Sequence, residues 1–439
     1  MRTVPVVAAL LAAMALAGCD TFFGESEGPP LPGERISVLS LNRAMTADPS
    51  LSDLRVRLPQ PYSNPEWPQA GGYTSHAMYH LAAGEGLNAA WSAKVGSAAD
   101  DDRFLLADPV VGGGRIYTMD AGATITAFDA KTGTQAWRVD LTPEDEDDGL
   151  FGGGIAFDDG KLYVTTPFAL AFALDATSGA ELWRAPMPGP MRAPPTVSGG
   201  RVFVVTLDNQ LFALAADDGR RLWSYAAIAE DAGLLGGAAP AVAGDTLVAA
   251  FSSGEIIAFR AETGRLLWGD SLAGVARGDA IATLADIRGM PVIDRNVVVA
   301  VSNSGTLTAL DLGRGGRLWT ANVGSAQTPW VAGDFIYLLS NEAELLCLTR
   351  QDGRVRWVQG LPQFEDPQDK EKPLYWSGPI LVGDRLILTN SAGDAVSASP
   401  YTGQLLGRIQ LPGRSHLPPV VAGDTVYFLS DDAVLTALR

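Results

Sequence analysis

The sequence predicts an all-β fold: an eight-bladed β-propeller of four-stranded antiparallel blades, with the ring closed by pairing strands from the two ends of the chain. Three observations carry this prediction. A Gly followed four residues later by Trp recurs along the 439-residue chain. Apolar runs before each copy mark strands covered on both faces, and turn residues separate them at short intervals.

The repeat places Gly133 before Trp137, Gly179 before Trp183, Gly219 before Trp223, Gly264 before Trp268, Gly315 before Trp319 and Gly353 before Trp357. A seventh copy has Gly403, but Gly407 stands in the Trp place. From Trp137 onward the steps are 46, 40, 45, 51, 38 and 50 residues, the period of a propeller blade. Each copy contains a second-strand segment upstream, such as Arg115-Ile116-Tyr117 or Lys161-Leu162-Tyr163, and eight such segments occur, the last at Thr425-Val426-Tyr427. After Ala433 to Leu438 the chain stops one strand short of a blade. Ala90 to Val95, with Trp91, supplies the missing strand and removes an open edge.

Runs such as Val202 to Val205 and Leu211 to Leu214 are apolar without alternation because neighbouring blades cover both faces. The repeated Gly provides positive φ for a tight turn between third and fourth strands. Trp91, Trp137, Trp183, Trp223, Trp268, Trp319 and Trp357 are expected to wedge between blades, since a residue that recurs once per blade serves the fold.

Residues 1–18 read as an export signal: Arg2 precedes an apolar run from Val4 to Ala17 too short to cross a bilayer. Leu16-Ala17-Gly18-Cys19 matches the bacterial lipobox, which implies cleavage before Cys19, its lipidation and a membrane anchor. Residues 19–65, rich in Pro, Gly and polar side chains, are expected to form a flexible tether reaching about 35–40 Å, with residues 66–439 forming the propeller. The net charge of −18 repels phosphate backbones, so nucleic acid is not an expected partner.

The unit Ala173-Leu174-Asp175-Ala176-Thr177-Ser178-Gly179-Ala180-Glu181-Leu182-Trp183 resembles the PQQ-type propeller repeat. With the lipobox and the count of eight, the chain is similar to the BamB family of β-barrel assembly lipoproteins. That resemblance implies a non-catalytic scaffold that binds a BamA-type barrel-assembly protein, meets unfolded outer-membrane proteins and sits at the periplasmic face of the outer membrane. Asp20, after the lipidated cysteine, resembles an inner-membrane retention signal and leaves that membrane open. The alternatives are a PQQ-dependent dehydrogenase and a propeller that binds cell-wall glycan.

No catalytic residue, cofactor or metal site is expected. The vicinal cysteines of quinoprotein alcohol dehydrogenases are missing, Cys347 reads as a buried small hydrophobe, and His76 and His80 share a helical spacing but have no evident third ligand. The acidic run Glu144 to Asp148 lacks EF-hand spacing. Gly112-Gly113-Gly114 and Gly152-Gly153-Gly154 lack the Lys-Ser/Thr of a phosphate loop.

Two loops between fourth and first strands stand out. One carries the apolar pair Leu234-Leu235 in Gly233 to Gly237, and the other runs from Leu284 to Arg288 before Pro291. The resemblance implies that these loops meet BamA through Leu-x-Leu-Arg-Gly and Leu-x-Asp-x-Asp segments. Leu234 takes the second Leu, Leu235 the Arg and Gly236 the Gly of the first, whereas Leu284 and Asp286 match the second and Arg288 replaces its last Asp. Leu150-Phe151 forms a competing apolar patch.

Overall fold

The computed structural model describes residues 45–84, 86–100, 103–146, 152–230, 232–274 and 284–439. Residues Met45–Arg439 form one compact unit built from eight four-stranded antiparallel sheets, the blades of a propeller. In the first blade the strands Val110–Gly112, Arg115–Met119, Thr124–Asp129 and Gln135–Asp140 pair in chain order. The last blade takes Val420–Ala422, Thr425–Leu429 and Val434–Leu438 from the C-terminal end and Ala89–Lys94 from the N-terminal end. Ser92 pairs with Thr436 and Lys94 with Val434, which joins the ring across 340 residues of sequence or more.

The register repeats. Tyr117, Ala127 and Trp137 lie side by side on strands two, three and four of the first blade, and Tyr163, Ala173 and Trp183 do so in the second. Later rows read Phe203–Ala213–Trp223, Val248–Ala258–Trp268, Val299–Ala309–Trp319, Tyr337–Cys347–Trp357 and, across the closure, Tyr427–Ala437–Trp91. A small residue on the third strand leaves room for the indole beside it. Cys347 takes that small position in one row and is fully buried, and burial drives its thiol pKa upward.

Each indole then crosses to the next blade. Trp91 Nε1 donates to Ala130 O at 3.3 Å, Trp137 to Ala176 O at 3.1 Å, Trp183 to Ala216 O at 3.1 Å and Trp223 to Ala261 O at 3.1 Å. Trp268, Trp319 and Trp357 reach Leu312, Arg350 and Pro400 at 2.7, 2.8 and 3.2 Å. The wedge expected of these residues is therefore also a hydrogen-bonded latch.

The tether differs from expectation. Residues 45–65 pack on the propeller instead of hanging free: Asp48 N–H donates to Val355 O at 2.8 Å, and a short 3-10 turn, Pro49–Leu51, buries Leu51. The first strand of each blade is innermost, and residues 64–81 run from one first strand to the next. Asn64 O accepts from Gly423 of the last blade at 2.6 Å, and Trp67 exchanges backbone bonds with Val111 of the first at 2.8 and 2.7 Å. Pro68 O accepts from Phe157 at 2.7 Å, and the Gln69 amide bonds Val197 in both directions. Thr74 O and Ser75 O accept from Val242 and Ile293, Tyr79 O from Trp330 Nε1, and Leu81 N–H donates to Leu381 O. This thread thus touches all eight blades in ring order. Its Pro, Gly and polar content suits a path that follows no single strand, which is why composition alone reads as linker.

Candidate partner-binding site

The loops from fourth to first strands and the turns from second to third strands emerge at one face of the ring, opposite the Gly-bearing turns. There the two singled-out loops lie against each other. Asp286, buried at 5% exposure, accepts the Leu234 N–H through Oδ2 at 2.6 Å, and its backbone carbonyl accepts from Asn303 N–H at 2.9 Å. Arg288 Nε donates to Leu235 O at 2.5 Å and Nη1 to Ala326 O at 3.2 Å, so one guanidinium staples three successive loops. Gly236 lies under that guanidinium, with φ +91° and room for a Cβ only 3.1 Å from Arg288 Nε. Leu284, half-buried, offers its carbonyl to Asn303 Nδ2 at 3.3 Å.

These bonds assign the polar residues an internal task. Burial raises the Asp286 carboxyl pKa, against the pull of the Leu234 N–H and the Arg288 charge. Asp108, which also faces Arg288, is pushed up to about 7 by burial with Arg288 opposing. Burial in turn lowers the Arg288 pKa, opposed by Asp108 and Asp286. Asp286 and Arg288 therefore hold loop shape, and what they present outward is apolar: Leu235 is 40% exposed beside half-buried Leu234.

Sequence reasoning missed two neighbours. Leu207, at the tip of a second-to-third-strand turn, is 43% exposed and Ile228 is 60% exposed. Asn209 Nδ2 ties the Ile228 carbonyl at 2.7 Å, and Leu207 N–H donates to Pro190 O at 2.7 Å. A leucine in the polar turn Thr206-Leu207-Asp208-Asn209 was the available signal. Between these residues a cavity of about 590 Å³ is lined by Pro190, Leu207, Leu234, Gly236 and Asp286. Cys19 and the pair Leu150-Phe151 lie outside the described residues.

The two histidines singled out in the sequence serve packing. His76 and His80 are not on a helix: His76 Nδ1 bonds Pro291 O at 2.8 Å and His80 Nδ1 bonds Pro59 O at 2.8 Å, each packing the inner thread. Among the described residues no three His, Cys, Asp or Glu side chains converge as a metal site requires. Asp108, Arg192, Arg288 and His416 converge on a cavity of about 70 Å³, next to one of about 260 Å³ that shares Arg288 and His416. No helix of the described residues is long and apolar enough to cross a membrane.

Comparison with known proteins agrees with the propeller fold. Residues 83–150 and 121–359 match the family described as outer membrane protein assembly factor BamB. The BamB of Yersinia pestis is 30% identical over 299 residues, covering 67% of this chain and 75% of that protein. The BamB of Alkalilimnicola ehrlichii is 30% identical over 352 residues, covering 80% and 87%. Among solved structures, BamB from Moraxella catarrhalis aligns with a TM-score of 0.67 at 21% identity, covering 80% of this chain and 99% of that one. The quinohemoprotein alcohol dehydrogenase of Comamonas testosteroni shares the fold, with a TM-score of 0.64 at 16% identity over 85% of this chain and 80% of that one. With propeller, repeat and relatives in agreement, the chain belongs to the BamB family of outer membrane protein assembly factors, and its likeness to the quinoprotein dehydrogenases is one of fold.

Proposed function

We propose that this protein is a non-catalytic scaffold, anchored through Cys19 at the periplasmic face of the outer membrane, that binds a BamA-type translocon and assists insertion of unfolded outer-membrane proteins. The observation that carries the reading is the apolar ridge at one face, Leu207, Ile228, Leu234 and Leu235, held rigid by the Asp286 and Arg288 staples. An interface gains most from a few apolar anchors whose backbone is already ordered, because little conformational freedom remains to be lost on binding. Asp286 and Arg288 act there as positioning residues, and Leu284 and Gly236 set the loop paths beneath the ridge.

The test is co-purification from detergent-solubilised envelope. Leu234→Asp with Leu235→Asp is expected to abolish recovery of the barrel-assembly protein while the propeller stays folded by circular dichroism. Undiminished recovery removes the site assignment. Labelling with a radioactive fatty acid, lost in Cys19→Ser, tests the anchor, and membrane fractionation of the wild type against Asp20→Ser separates outer from inner membrane.

A further inference from the structure

One row of the eight breaks the rule. In the seventh blade Ile387, Ser397 and Gly407 occupy the places that elsewhere hold a large residue, a small residue and Trp. Three facts coincide at this junction. The indole is missing, since Gly407 is in its place. The partner turn is missing too, because the third and fourth strands of the closing blade, Val434–Leu438 and Ala89–Lys94, lie far apart in sequence and are not joined by a hairpin. Finally, a cavity of about 620 Å³ opens over this row, lined by Ile387, Ser397 and Gly407 on one side and by Leu87 and Phe428 of the closing blade on the other. That volume lies within the range of about 300–1,000 Å³ common for ligand pockets.

We propose that this junction is a receptor socket for an aromatic side chain, carried by a partner polypeptide that runs as an extended strand along Leu405–Gln410. The seven filled junctions state the chemistry of the ligand. In each an indole lies over a small third-strand residue, between two blades, and Ser397 and Gly407 leave that same space open here. A Cβ built on Gly407 meets nothing within 4 Å, and the residue's φ lies in the ordinary range, so neither bulk nor backbone occupies the place.

The strand beside the socket is suited to pairing. Leu405–Gln410 is exposed along its whole length and, among the described residues, pairs only with Asp394–Ala398, so there its outer edge presents unpaired backbone groups. Leu405, Leu406 and Ile409 are 42%, 57% and 36% exposed and extend an apolar surface past the cavity mouth. Gly383 and Asp384, in the turn between first and second strands, line the cavity, which places it toward the face opposite the Leu234 ridge. The socket is thus a second site, independent of the translocon reading.

The test uses the protein's own latch as ligand: a capped peptide with the sequence of Val355–Gly360, which carries Trp357, and its Trp357→Ala analogue, titrated calorimetrically into the folded protein. The Trp peptide is expected to bind at least tenfold tighter than the analogue. Gly407→Trp, which fills the socket from within, is expected to cut that binding at least tenfold and to raise the thermal midpoint. Gly407→Leu, a smaller filler at an exposed strand position, provides the same comparison if the Trp variant does not fold. Equal affinity of the two peptides, or undiminished binding by a folded filler variant, overturns the proposal.

Discussion

The indole of Trp137 covers the α-carbon of Gly179 in the following blade so closely that a Cβ there would come within 2.7 Å of the ring. The same relationship links Trp91 to Gly133, Trp183 to Gly219, Trp223 to Gly264, Trp268 to Gly315, Trp319 to Gly353 and Trp357 to Gly403. The Gly of each Gly-x-x-x-Trp copy therefore serves the Trp of the copy before it. Its φ of +75° at Gly179 satisfies the turn, and its missing side chain receives the neighbour.

Gly179→Ala is accordingly expected to destabilise by roughly 2–4 kcal/mol, combining left-handed backbone strain with overpacking. Gly160, with a similar φ of +73° but open space around its α-carbon, is the control. Gly160→Ala should cost only the backbone share, about 1–2 kcal/mol. Urea unfolding of the two variants distinguishes the two causes.

Trp183→Ala removes both packing and the 3.1 Å bond to Ala216 O. The expected loss is about 3–5 kcal/mol, read from the shift in the urea midpoint at unchanged slope.

His76 gives the fold an acid-sensitive contact. Burial lowers its pKa from 6.5 to about 4, against the bond to Pro291 O, which favours the charged form. Between those values the unfolded chain binds a proton that the folded chain excludes. Its contribution to stability is complete above pH 6.5 and is lost progressively as the pH falls toward 4. His76→Gln should flatten the pH dependence of the urea midpoint between pH 7.5 and 5.

Cys347 should resist alkylation in the native protein. Its burial within the Tyr337–Cys347–Trp357 row raises the thiol pKa and shields the sulfur. Iodoacetamide labelling followed by mass spectrometry is expected to modify it only above the unfolding transition. Labelling in buffer at the rate of a free thiol contradicts this.

Blade number, strand order and closure were legible because a propeller writes one unit repeatedly: Trp and Gly recur at fixed offsets, and both faces of each strand are apolar. The thread from Asn64 to Leu81 was not legible. Its contacts to six of the eight sheets are backbone bonds, the other two running through the Gln69 amide and the Trp330 indole, and such scattered bonds leave no periodic side-chain signature. At the candidate interface the apolar pair Leu234-Leu235 stood out from its glycine-rich surroundings. The inward role of Asp286 and Arg288 did not, because a charged residue in a loop reads as solvent-facing until the neighbouring loops are placed around it. Leu207 and Ile228 lie in different loops of one blade, brought near each other by the Asn209 bond to the Ile228 carbonyl, which spacing alone does not announce.

Running from Gly423 round to Leu381, the segment 64–81 acts as a drawstring inside a barrel of staves. A repeat array with contacts only between neighbours can fray from either end, one unit at a time. Here the same cord passes every stave, so loosening one slackens the tie on the rest. Melting is thereby coupled around the circle, and the rigid rim this maintains keeps loops from blades far apart in sequence at fixed separation for whatever docks across them.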